Sequence, residues 1–159
     1  MNLGKKILNN VFQIKNVISA SIVGSYTESK NLDKVGDIDV VVVCKKLSKK
    51  LITKLIQNVY KINKENLKKK IIVNSTFGPL KISSKKLLPV HLMIYDVNSH
   101  KDHVTSSPFT CYDWERSKLY KGISLKQIFP VRNLQLSEFI LSRRSPNEYL
   151  QDLLKNRIS

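Results

Sequence analysis

From Val23 to Val43 the chain reads VGSYTESKNLDKVGDIDVVVV, and the reading of this stretch decides the fold. The run Val17 to Val23 that leads into it is short and β-branched, which predicts a strand. Gly24 and Ser25 break that strand, and a polar loop punctuated by Gly36 follows. Asp37 to Cys44, DIDVVVVC, is the strongest strand signal in the sequence. Residues two apart on a strand share a face, so Asp37 and Asp39 project together while Ile38, Val40 and Val42 point the other way into a core. The valines Val40 to Val43 argue for a buried strand whose acidic end lies exposed at one rim, where sites tend to be.

Outward from this centre, Leu3, Ile7, Leu8, Val11 and Phe12 recur at helical spacing and predict an amphipathic helix from about residue 3 to 15. Downstream, Ser48 is a natural N-cap. Leu51, Ile52, Leu55, Ile56 and Val59 then share one face, with lysines mostly off it, which predicts a helix over about 48–64. Ile71 to Phe77 reads as a strand, Gly78-Pro79 as a turn and Leu88 to Tyr95 as another strand. Asn98 to Pro108 is polar and rich in Ser and His and reads as a loop. Tyr112 to Tyr120 reads as a short helix ended by Gly122. Ser145-Pro146-Asn147-Glu148 has the form of a capping box that starts a last helix through about Arg157. The order predicts an α/β (α+β) fold, a mixed β-sheet flanked by helices, with a helical C-terminal segment. Residues 1–97 form the expected core and 98–159 an extension packed on the same domain, with no clear boundary between them.

The constellation that carries chemistry is Gly24-Ser25 followed by Asp37 and Asp39. Two carboxylates side by side repel each other unless a cation sits between them. Hard divalent ions such as Mg²⁺ prefer oxygen ligands and bind a carboxylate pair together with triphosphate oxygens. Glycine lets the backbone come close to a phosphate, and Ser25 can donate through hydroxyl and amide. The alternative is an ordinary turn beside a solvated strand edge.

A hydrophobic residue, Gly, Ser, a gap of eleven residues and then Asp-Ile-Asp at a strand start resembles the polymerase β-type nucleotidyltransferase superfamily. The strict motif covers only Val23 to Val43, and the surrounding element order also fits that family's minimal fold. The resemblance implies a metal-dependent enzyme (Mg²⁺ or Mn²⁺) that moves a nucleoside monophosphate from a nucleoside triphosphate to a hydroxyl. Asp37 and Asp39 would bind metal and act in catalysis, and Gly24 and Ser25 would hold the β and γ phosphates.

The family's third acidic residue lies on a later strand, and Leu88 to Asp96, LPVHLMIYD, is the matching one. Leu88, Val90, Leu92 and Ile94 share its core face by parity, so His91 stands where the third carboxylate is expected. Neutral imidazole suits Zn²⁺ or Mn²⁺ better than Mg²⁺ and does not replace the lost charge. His91 is thus read as an unusual metal ligand or general base, a phosphate contact, a relic in a weakened site, or a strand histidine without a role. Asp96 is the nearest acidic substitute as a metal ligand, available only if the strand bends or ends before it. Lys81, behind the Gly78-Pro79 turn, is a candidate triphosphate contact, though a generic hairpin lysine has the same appearance.

His100, Asp102 and His103 lack the spacing of a closed zinc site. Tyr112, Trp114 and Tyr120, with Arg116 and Lys118 between them, could stack on bases beside phosphate-binding cations, but packing on the sheet is favoured for Trp114. Cys44 and Cys111 are too few for a disulfide framework and read as incidental thiols of a reduced, cytoplasmic protein. No apolar run approaches the ~20 residues needed to cross a bilayer.

The 159 residues carry a formal net charge of +16, which draws polyanions and makes nucleic acid, RNA above all, the leading macromolecular partner. Lysine outnumbers arginine, as an AT-rich coding sequence would also produce. The alternatives to an enzyme are a catalytically weakened module that binds RNA or a nucleotide, and one member of a toxin–antitoxin pair. The sequence offers no second domain to clamp a substrate, so a basic groove would come from a partner or a second copy in a homodimer.

Overall fold

The structure is a computed structural model that describes residues 2–29, 35–64, 68–74 and 84–138. Ile38–Cys44 forms β2, the middle strand of a five-stranded sheet. Its neighbours are β1, Val17–Val23, running antiparallel, and β4, Leu87–Asp96, running parallel. Lys70–Asn74 is β3, parallel to β4, and Tyr120–Gly122 is β5, antiparallel to β1. The sheet is therefore mixed and carries helices, as the element order predicts.

The four valines are explained by burial on both faces of β2. Val40 and Val42 pack with Ile7, Val11, Leu51, Leu55 and Val59 of α1, Leu3–Phe12, and α2, Lys49–Tyr60. Val41 and Val43 pack on the opposite face with Leu125, Trp114 and Ile128. A strand covered on both sides reads as a continuous apolar run instead of an alternating one. The expected N-cap of α2 is present, with the Leu51 amide donating to the Ser48 hydroxyl at 3.2 Å.

Two expectations after Asp96 are corrected. Asn98 to Pro108 is not a loop, because Val97–Ser106 is a helix, α3. Its buried positions, His100 and Val104, lie four apart, one turn of helix with a histidine in place of an aliphatic residue. Apolar periodicity is therefore absent although the buried face is real. The signal was its N-terminus, where Asp96 and Ser99 form a reciprocal capping box. The next helix, α4, spans Pro108–Trp114 with proline at its start, so it begins and ends earlier than the aromatic run suggests. A short α5, Leu125–Ile128, follows β5. The Gly78-Pro79 turn, Lys81 and the C-terminal capping box at Ser145 lie outside the described residues.

β5 depends on Gly122, whose φ is +81°. A Cβ there would stand 2.2 Å from the Ile18 carbonyl oxygen and 2.4 Å from Phe12 Cε2. Gly122→Ala is expected to cost about 2 kcal/mol, since the left-handed strain adds to a clash that β5 escapes only by leaving the sheet edge. Urea unfolding of the variant beside wild type measures the loss, and an unchanged midpoint contradicts it.

Candidate active site

Strand register brings three chain segments to one rim of the sheet. Asp39 lies opposite Val23, the last residue before the Gly24-Ser25 turn, and on its other side opposite His91. The turn is a 3₁₀ segment, Gly24–Thr27, closed by the Thr27 hydroxyl donating to the Gly24 carbonyl at 2.7 Å. Tyr26 holds it from below. The Tyr26 ring is fully buried, its hydroxyl donates to Asn2 Oδ1 at 2.6 Å, and it accepts from the Gly4 amide at 3.1 Å. The phenol thus ties the turn to the N-terminus of α1.

Gly24 has φ +71°, and a Cβ on it would stand 2.7 Å from Asp39 Oδ2. Glycine is required twice over, by the left-handed backbone and by the approach of a carboxylate. The other carboxylate oxygen, Oδ1, lies 3.3 Å from His91 Nδ1. Asp39 therefore meets the turn on one side and the imidazole on the other. Burial raises the Asp39 carboxyl above its usual range and the charge of Asp37 adds to this, while His91 opposes both.

Of the residues expected in the site, Gly24, Ser25, Asp37, Asp39 and His91 come together. Asp96 does not. It pairs with Cys44 at the other end of the parallel strands, about 16 Å along β4 from His91 at the usual strand rise. Its carboxylate accepts from the Ser99 amide at 2.8 Å and from the Ser99 hydroxyl at 2.7 Å, bonds that hold it below the usual carboxylate range. It caps α3, and the strand neither bends nor ends in a way that would turn it to the pair. Lys81 lies outside the described residues.

A cleft of about 590 Å³ opens beside the turn, lined by Gly24, Ser25 and Thr27 and, from the end of α4, Arg116, Ser117 and Lys118. No local pattern in the chain places Ser117 here. Its hydroxyl donates to the Ile22 carbonyl and so fastens the segment after α4 to β1. Arg116 and Lys118 bring cations to the Gly24-Ser25 side, and Glu28 and Asp113 stand in the same cleft. Asp39 does not line this cleft but neighbours Gly24, which does.

Among the described residues no group of three His, Cys, Asp or Glu side chains is arranged to hold a metal. Asp37 and Asp39 are the residues that would hold a hard divalent cation, which would relieve the repulsion by which Asp37 helps raise the Asp39 carboxyl.

Trp114, His103 and His100 are packed into the structure. Trp114 packs against the sheet and stacks on His103 with ring centroids 5.1 Å apart, and His103 stacks on Tyr95 at 5.3 Å. His100 is buried beside Tyr95. Both cysteines are free and buried; burial pushes the thiol of Cys44 up to about 11 and that of Cys111 to about 12, so neither is a ready nucleophile.

Compared with family models, curated proteins and solved structures, the chain finds no match. No helix among the described residues is long and apolar enough to cross a membrane.

Proposed function

We propose that this rim is a nucleotidyltransferase site of the polymerase β type, which moves a nucleoside monophosphate from a nucleoside triphosphate to a hydroxyl acceptor. The observation that carries the reading is Asp39, set by register between the Gly24 turn and His91, with one carboxylate oxygen toward each. The amides and hydroxyl of Gly24-Ser25 bind triphosphate oxygens, and Arg116 and Lys118 neutralise them from the far wall of the cleft. Mg²⁺ or Mn²⁺ held by Asp37 and Asp39 supplies, when bound, neutralisation of the triphosphate charge. The acceptor oxygen forms a bond to the α-phosphorus, the bond to the β-phosphate oxygen breaks, and pyrophosphate leaves. His91, oriented by Asp39, takes up the hydroxyl proton. This role as base uses the imidazole that stands at the family's third-carboxylate position.

The test is incubation of the protein with each α-labelled nucleoside triphosphate, Mg²⁺ or Mn²⁺, and bulk cellular RNA, beside Asp37→Ala/Asp39→Ala. Label transfer by wild type that disappears in the double variant is the expected result, and it names the nucleotide. Transfer that survives in the double variant refutes the assignment. A second reading, a weakened module that binds RNA or nucleotide without turnover, is favoured by one observation: His91 does not restore the third negative charge. RNA shifted equally by both proteins, with no transfer by either, would select it.

A further inference from the structure

The cleft beside Gly24-Ser25 is not isolated. Arg116 also lines a second cleft of about 690 Å³, whose walls include Tyr112, Lys126, Asn133 and Leu134. Lys118 and Leu119 also line a third, of about 360 Å³, with Lys5, Tyr120 and Lys121. The three depressions are therefore neighbours in a row, a furrow whose middle member, beside the turn, shares wall residues with each of the others.

The furrow has the chemistry of a single-stranded polynucleotide path. Cations recur along it: Lys126 and Arg116 in the second cleft, and Lys118, Lys121 and Lys5 in the third. Arg132, also in the second cleft, is committed to Glu138. The two flanking clefts contain one carboxylate in their walls, Glu115, and it already accepts from the Val131 amide at 2.9 Å. Aromatic rings line the same walls, Tyr112 in the second cleft and Tyr120 in the third. Tyr120 is 43% exposed on the edge strand, and the Arg116 guanidinium lies 4.5 Å from the centroid of the Tyr112 ring. Cations that follow a backbone, interleaved with rings on which bases stack, suit an unpaired strand.

We infer that this furrow binds a single-stranded polynucleotide and carries it past the Gly24-Ser25 turn. Its role as the acceptor in transfer rests on the functional reading above, whereas the binding itself does not.

Fluorescence anisotropy with 5′-labelled rU20, dT20 and a 20-bp duplex, without nucleotide or metal, tests it. Lys121→Ala/Lys126→Ala, one residue in each flanking cleft, is compared with Lys50→Ala/Lys54→Ala, which removes the same charge from α2, a helix that lines none of the three clefts. The furrow pair is expected to weaken single-strand binding about tenfold and to flatten the salt dependence by about 0.7 per lysine, while the α2 pair changes both little. Tyr120→Ala is expected to weaken binding further without changing the salt slope. Equal losses from both lysine pairs would mean diffuse attraction by net charge and overturn the proposal, as would tighter binding of the duplex. Preference for rU20 names RNA as the strand and preference for dT20 names DNA. Asp37→Ala/Asp39→Ala should bind as tightly as wild type. If that protein and wild type both bind and neither transfers label, the furrow stands and the enzyme reading fails.

Discussion

Asp39→Asn is expected to lower label transfer by at least about 10²-fold while making the protein more stable, a combination that separates a functional carboxylate from a structural one. The side chain keeps its shape, so Gly24 and His91 keep their neighbour. The charge that orients the imidazole and, in the proposed function, faces the triphosphate is lost. Stability rises because the wild-type carboxylate is half-buried beside Asp37, and burial first and Asp37 second hold its proton affinity above the ordinary value. A carboxyl whose folded pKa is raised binds protons more readily folded than unfolded. Its ionised form therefore costs stability at neutral pH, and the cost fades as pH falls through the raised value. Urea midpoints at pH 7.5 read the gain, and the labelled-nucleotide assay reads the loss. Unchanged transfer would remove Asp39 from the chemistry. A variant both inactive and less stable would make it a structural residue.

The second large effect is acid destabilisation centred on His100. Its side chain is 1% exposed and neither ring nitrogen has a hydrogen-bond partner among the described residues. Burial lowers it to about 4, with a smaller contribution from His103, which burial also lowers. The unfolded chain takes up the proton near pH 6.5 and the folded one only near 4. Stability is therefore intact above the higher value and falls between the two, by on the order of 3 kcal/mol. Asp96 and Glu138, whose carboxyls are held low by their partners, are lost only at still lower pH. Asp39 acts in the opposite sense, so Asp39→Asn should show the steeper decline. Unfolding free energies measured from pH 7.5 to 4.5 are expected to fall for wild type and to fall clearly less for His100→Leu, the remainder coming from His103. Parallel declines in the two proteins would exonerate the imidazole.

Chain-local chemistry made much of this legible. β-branched runs and their breakers located β1, β2 and β4, and parity alone put Asp39 and His91 on one face. Parity holds because a strand turns alternate side chains to opposite faces whatever packs on them. α1 and α2 were legible for the same kind of reason, a repeating apolar stripe with its polar side outward. α3 was not. Its buried face is a histidine and a valine, and its cap, Asp96, resembled a spare ligand as long as only the strand before it was in view.

The sequence by itself determined the elements that follow a local period, the glycine before Ser25 and the spacing of the carboxylates. Only the tertiary structure decided which ends meet. Antiparallel pairing of β1 with β2 and parallel pairing of β2 with β4 put Val23, Asp39 and His91 side by side and sent Asp96 to the far end. It also brought Arg116, Ser117 and Lys118 to Gly24, some ninety residues away in the chain. Strand order and direction arise from how whole faces bury one another, a property of distant residues together that no local pattern encodes.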